Sequence, residues 1–340
     1  MEYCQVGRAQ SLGEICDGLN SLQGKKNHLG IETPRKSTLA YANEHRPAAL
    51  FESIFHALVA RVQHLLGVRH RFRFKNKLLT IDTTTIDLCA SMFDWAHFTR
   101  TKGAVKLHMV LDHAGLLPVF CCITTGKASD IQLARTLNLP AGTILVCDRG
   151  YIDFPWLASL TARKISVVTR LRVSDPITVQ TTKTDLRQGI VSDERISVGV
   201  RRRDGFGPIP LRRVTVLDEE GKLFEVVTNN DKLAASTIVA IYRERWQIET
   251  FFKAIKQNLR IKTFVGTSPN ALRTQIWAAL IAIVIFKYLQ LKARSGWSLA
   301  RLVALIRLHL FAYRDLWSWL DDPFQAFESP PPGQLALQFG

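Results

Sequence analysis

The chain has 340 residues, 47% of them hydrophobic, and no stretch of disordered composition, so it can bury a sizeable core. Forty-five Lys and Arg against 29 Asp and Glu leave a net charge of +16, which in a folded enzyme points to a nucleic-acid partner. Six cysteines (Cys4, Cys16, Cys89, Cys121, Cys122, Cys147) show no zinc-type spacing, no signal peptide opens the chain, and the longest apolar run, Ile276 to Phe286, is too short for a bilayer. These features argue against a secreted, zinc-stapled or membrane-spanning protein and for a reduced, intracellular one.

Residues 1–75 read as a helical N-terminal segment. Leu12–Leu22 and Ala48–Leu66 have helical apolar spacing, and Pro34 and Pro47 bracket a shorter stretch in which Ser37 or Thr38 caps a helix through Tyr41 and Asn43. With Lys25, Lys26, Arg35 and Lys36 nearby, this small helix either docks on DNA in the manner of a helix-turn-helix or simply packs.

A second unit, 76–171, begins with LLTIDTTTIDL from Leu78, an alternating run rich in β-branched residues. KGAVKLHMVLD from Lys102 and LPVFCCITT from Leu117 are further strands, joined by a turn at Gly115. A helix capped by Ser129 follows, then the strand TILVCDRGY ending on Asp148, the helix FPWLASLTARK and the strand ISVVTRL. Three strands, helix, strand, helix, strand describe an α/β, ribonuclease H-like core. Residues 172–233 form a β-rich insertion with Arg201, Arg202, Arg203, Arg212 and Arg213, cations that either stay solvated or track a phosphate backbone. Residues 234–265 return to the core with a helix, 266–329 form C-terminal helices, and 330–340 are a loose tail.

The returning helix carries YRERWQIETFFKAIK, Tyr242 to Lys256. At about 100° per residue, Tyr242, Arg245, Glu249 and Lys256 fall within roughly 60° of one another. Ile241, Ile248, Phe252, Ile255 and Leu259 make an adjoining apolar stripe. Such a strip suits a metal ion at a phosphodiester, the acid holding the cation and the basic groups the phosphate oxygens. The plain alternative is a surface i,i+4 pair of Arg245 and Glu249.

Upstream, Asp82 lies in the first strand and Asp148 ends the fourth, which neighbour each other in a ribonuclease H-like sheet. Three carboxylates brought together in a basic protein repel unless cations lie between them, and two Mg²⁺ ions about 3.5–4 Å apart answer that need. Taken singly, Asp148 also reads as a turn former before Gly150 and Asp82 as the end of a strand pattern. Asp87 and Asp130 rank behind them.

The spacing Tyr, two residues, Arg, three, Glu, six, Lys, followed from Arg245 by Trp246, resembles the signature of DDE transposases of the insertion-sequence-four family. IDTTTI around Asp82, DRGY from Asp148, KLH with Lys106 and His108, and the Ser-Thr-Leu-Ala-x-Ala-Asn run from Ser37 match further family blocks, over roughly residues 37–325. The resemblance implies that Asp82, Asp148 and Glu249 are the metal-binding catalytic residues, with two Mg²⁺ ions for which Mn²⁺ can substitute. It implies that Tyr242, Arg245 and Lys256 bind DNA phosphates near the cleaved end. Trp246 either stacks on a flipped base, as in relatives that cut through a DNA hairpin, or belongs to the core. No role is implied for Lys106 or His108, and the insertion offers only Phe206 and Phe224 as a clamp. Also implied are a helical DNA-binding segment whose first helices have no counterpart before Met1, and hence a shortened family member. The implied setting is cytoplasmic: a bacterial, nucleoid-associated protein acting on double-stranded DNA, at terminal inverted repeats and target, as a homodimer on DNA with no membrane partner. The rival readings are a nuclease of the same fold that cuts without joining, and a non-catalytic derivative that inhibits by occupying DNA ends.

Overall fold

The computed structural model describes residues 6–7, 9–22, 30, 32–67, 70–88, 93, 95, 103–183, 189–199, 207–218, 220–258, 265–310, 312 and 314–324. Cys4, Lys25, Lys26, Cys89, Lys102, Arg201, Arg202, Arg203, Phe206, Leu259 and the tail from Pro330, all singled out above, lie outside the described residues.

Strand β1 (Leu78–Leu88) is the third strand of a nine-stranded mixed sheet of order β3-β2-β1-β4-β5-β9-β8-β7-β6. Its partners β2 (Gly103–Asp112) and, beyond it, β3 (Leu117–Thr125) are antiparallel, whereas β4 (Ile144–Val146) and β5 (Ser166–Thr169) follow in parallel. The parallel steps need crossovers, supplied by α4 (Asp130–Thr136) and α5 (Phe154–Ala162). Insertion strands β6 (Ile177–Lys183), β7 (Ile190–Val198), β8 (Ile209–Leu217) and β9 (Leu223–Thr228) extend the same sheet, because β9 pairs antiparallel with β5.

Alternation along β1 sorts its side chains between two cores. Leu79 and Ile81 join Leu145, Cys147, Trp156 and Leu157 on the α5 face. Leu78 joins Ile144, Val146, Val168 and Val226 on the opposite face, under α6 (Ala235–Arg243). The antiparallel end of that opposite face, with Leu107, Met109 and Leu111, is covered by α7 (Trp246–Asn258), α8 (Pro269–Lys292) and α3 (Ala48–Leu66). Ahead of α3 stand α1 (Leu12–Asn20) and α2 (Lys36–His45), and behind α8 stand α9 (Leu299–Leu308) and α10 (Leu316–Asp321).

Helix α8 is the structural form of the apolar run at Ile276. At 24 residues it is long and apolar enough to cross a membrane by length and composition, contrary to the expectation from the run alone, but 72% of its apolar window is buried inside the protein. It also carries the N-terminal segment. Asn270 accepts from Ala48 N at 3.1 Å and donates to the carbonyls of Asn43 and Arg46 at 3.1 and 2.8 Å, so one amide clamps the α2–α3 turn.

Three local expectations need correction. Helix α2 starts at Lys36 with Arg35 as its last extended residue, so Ser37 and Thr38 lie inside the first turn and cap nothing. Ser129 does take the N-cap position of α4, but its side chain makes no capping bond there. Tyr242 to Lys256 is not one helix. Around Glu244 and Arg245 the backbone bonds shift to i→i−3 spacing, with Arg245 N to Tyr242 O at 3.0 Å and Gln247 N to Glu244 O at 3.0 Å. This tighter turn separates α6 from α7.

Candidate active site

Register brings the first two carboxylates together. Thr80 of β1 pairs with Val146 of β4, so Asp82 and Asp148 each lie two residues farther along neighbouring parallel strands. Strand spacing is about 4.8 Å, and the two-residue step keeps both on the α6–α7 face. Asp82 is partly buried, and its Oδ1 accepts from Thr83 N at 2.8 Å. Asp148 caps the 3-10 turn Arg149–Tyr151 by accepting from Gly150 N at 2.8 Å. A Cβ at position 150 would stand 2.9 Å from Asp148 Oδ1, so glycine there leaves the carboxylate its place.

Helix α7 presents Glu249 from the facing layer, and Arg245 in the turn before it links the acids. Its guanidinium meets Glu249 Oε1 at 2.7 Å and reaches Asp82 Oδ2 at 3.9 Å. The Arg245–Glu249 pair is therefore real, but it faces a strand carboxylate instead of open solvent. Asp82, Thr84, Glu249, Lys253 and Lys256 line an open cleft of about 480 Å³. Burial pushes the Asp82 carboxyl up to about 6, with Asp148 and Glu249 adding to the rise and Arg245 and the Thr83 amide opposing it. Asp148 and Glu249 thus both act electrically on Asp82.

Among the described residues, no three His, Cys, Asp or Glu side chains converge closely enough to hold a metal ion in this arrangement. A cation of the chain's own, the Arg245 guanidinium, stands between Asp82 and Glu249. The donor set still fits a hard divalent ion, since all three groups are carboxylates and Asp82 is held high partly by its acidic neighbours.

The other expected residues take more particular places. Tyr242 is 8% exposed, its ring among Ile144, Val146 and Ile238, with the Arg245 guanidinium 5.8 Å above it. Burial raises its phenol pKa, against the opposing charges of Arg245 and Arg170. Lys256 reaches across to β1 and donates to Thr85 O at 2.8 Å. Trp246 is 63% exposed, which removes the core alternative. Phe224 packs against Tyr242, ring centroids 5.6 Å apart. Asp87 is exposed, and Asp130 is taken by Lys106 Nζ at 2.9 Å.

Arg212 and Arg213 are not phosphate-tracking cations here. Arg212 is buried and binds Asp193 through Nε and Nη2, both at 2.8 Å, while Arg213 binds Glu194 at 2.6 Å and reaches Glu225 at 3.5 Å. Adjacent strands β7 and β8 align the opposite charges, so each guanidinium is satisfied inside the sheet.

Lys106 and His108 gain a role that sequence patterns did not supply. His108 is buried between Thr83 Oγ1 at 2.9 Å and Thr124 Oγ1 at 2.8 Å, and Thr83 Oγ1 also lies 2.9 Å from the Tyr151 hydroxyl. Lys106 donates to Ala128 O at 2.9 Å. Together they fasten β2, β3 and the Asp148 turn to the residue beside Asp82. A second network lies behind the α6–α7 turn. Thr80 Oγ1 is 2.7 Å from His113 Nε2, His113 Nδ1 is 3.8 Å from Glu244, and Arg71 grips Glu244 at 2.6 Å. Each partner is distant in sequence, so no local pattern announces either network.

The sequence profile described as the transposase DDE domain matches residues 73–285. A Sinorhizobium fredii protein named as a transposase is 30% identical over 305 residues, covering 88% of this chain and 82% of that protein. A Geobacillus stearothermophilus protein named as the transposase for an insertion sequence element is 30% identical over 240 residues, covering 68% and 62%. Among solved structures, a piggyBac transposase synaptic complex with hairpin DNA superposes with a TM-score of 0.41 at 14% identity, covering 73% of this chain and 54% of that one.

Proposed function

This chain belongs to the family of DDE-domain transposases, and on that premise we propose how its residues carry out DNA transposition. The protein is a DNA transposase, an enzyme that cleaves DNA and transfers strands. Within it, Asp82, Asp148 and Glu249 are the catalytic and metal-binding carboxylates. The observation that carries this assignment is the equal register of Asp82 and Asp148 on parallel strands, with Arg245 reaching both Asp82 and Glu249 from the facing helix. The half-sheet β3-β2-β1-β4-β5 with α4 and α5 is the ribonuclease H-like core, a reading its strand order supports.

The family generally works with divalent cations, and here Asp82, Asp148 and Glu249 would hold two Mg²⁺, for which Mn²⁺ could substitute. When bound, they supply activation of the attacking water or 3′-hydroxyl and neutralisation of the leaving oxygen. The chain's residues do the rest. Asp82 and Asp148, fixed by the Thr83 and Gly150 amides, hold their carboxylates at one level. Arg245, paired with Glu249 and close to Asp82, is placed to bind a DNA phosphate at the carboxylates. Tyr242, buried under Arg245, keeps the guanidinium aimed at the cleft. Lys256 binds phosphate at the rim near Thr85, and the exposed Trp246 indole offers a face to a flipped base. The Tyr-Arg-Glu-Lys order supports a reading as a member of the insertion-sequence-four group that acts at terminal inverted repeats as a homodimer on DNA.

Incubation of the protein with a pre-cleaved element end, a supercoiled target and Mg²⁺ tests this reading. Joined products are expected, and none with Asp148→Asn. Nicking without joining would favour a nuclease instead.

A further inference from the structure

Ahead of β1 the chain reads HRFRFKNK, His70 to Lys77, with cations and rings alternating. The rings are used to build the loop. Phe72 and Phe74 stack 5.2 Å apart at 12°, His70 lies 4.7 Å from Phe74, and both Phe side chains pack on the core of Leu78, Ile144 and Tyr242. Backbone and side-chain bonds fix it further: His70 Nε2 lies 2.7 Å from Asn76 O, and Asn76 donates to Gly142 O at 2.6 Å.

With the rings turned inward, the cations stand outward. Arg71 is held by Glu244 and Lys77 lies 3.6 Å from Asp112, but among the described residues Arg73 and Lys75 have no acidic partner. Both are exposed, and together with Lys77 they wall an open cleft of about 590 Å³ whose acid, Asp112, is buried. The loop packs on the same face of the sheet that carries Asp82 and leads directly into β1 at Leu78.

We propose that this cleft is a second DNA contact, separate from the cleft at the carboxylates, in which Arg73 and Lys75 grip the sugar-phosphate backbone of duplex DNA. Recognition is of backbone charge and not of bases, since the rings that could stack are spent on the loop's own core. A prefixed loop loses little freedom on binding, so its cations act at low entropic cost. The inference rests on the DNA transposase reading and extends it to residues that reading does not use.

The test is binding of a labelled random-sequence duplex by the full chain, without divalent ions, across a range of salt. For Arg73→Ala/Lys75→Ala, two lost phosphate contacts should reduce the log–log salt slope by about 1.8 and weaken binding at least tenfold at low salt. The charge-preserving Arg73→Lys/Lys75→Arg should keep the wild-type slope, and Lys183→Ala/Lys232→Ala, two exposed cations of the insertion side, should change it little. An unchanged slope in the first variant, or an equal loss in the insertion control, overturns the loop contact while leaving the transposase reading in place. Failure of the wild type to bind duplex at any salt overturns both.

Discussion

At the scale of single residues, Gly150 and His113 make the most specific demands. A methyl at position 150 would meet the movable end of the Asp148 side chain and not backbone. Gly150→Ala should therefore fold with a melting temperature near wild type, yet cleave at least tenfold more slowly as the carboxylate is displaced. Thermal melts beside single-turnover nicking separate the two effects, and an unimpaired rate would show that Asp148 needs no fixed position. His113 is buried, and burial, with help from His70 and Arg71, lowers its pKa to about 4. The folded protein thus keeps the imidazole neutral while the unfolded chain takes a proton near pH 6.5. Its contribution is fully present above that pH and is lost as pH falls from about 6.5 toward 4. The loss is on the order of 3 kcal/mol. His113→Gln should remove that part of the acid sensitivity, read from urea unfolding at pH 7 and pH 4.5. If mutant and wild type lose equal stability, His113 does not titrate in this way.

At the scale of elements, the turn at Glu244 and Arg245 and the ladder of β7 with β8 show where sequence periodicity stops being informative. A helical wheel places Tyr242, Arg245, Glu249 and Lys256 on one strip, yet the chain tightens after Arg243, where Glu244 is paired with Arg71. That partner lies more than 100 positions upstream, so nothing within the helix signals the break. Arg212 and Arg213 looked like free cations for the same reason: their acids sit on the neighbouring strand. Arg212→Ala leaves Asp193 partly buried without its partner, at a cost of about 3–5 kcal/mol. The salt slope of DNA binding should not move. Denaturant titration and band-shift assays check both halves, and a reduced slope with unchanged stability would return Arg212 to the DNA-binding surface.

At the scale of the whole molecule, the sheet was legible because its signals are local. β-Branched alternation marks β1, Gly115 with φ 79° turns β2 into β3, and Asp148 stands where β4 runs out. The carboxylates stood out through the resemblance of the blocks around Asp82, Asp148 and Glu249 to transposase motifs, since each acid alone also had a plainer reading. What the sequence did not disclose is how they are held. Arg245 standing between Asp82 and Glu249, Lys256 anchored on Thr85, and the Thr83–His108–Tyr151 network all depend on pairs that only folding brings together. The joining of the insertion to the core sheet through β5 and β9 is likewise a long-range pairing. The central claim is that Asp82, Asp148 and Glu249 work as one metal-dependent site for cutting DNA. It is tested most directly by single-turnover nicking of a labelled element end with Mg²⁺, alongside band-shift binding, for wild type and Glu249→Gln. The exchange keeps size and hydrogen bonding but removes the charge. The account predicts at least a hundredfold loss of cleavage with end binding retained, whereas nicking by Glu249→Gln at the wild-type rate would contradict it.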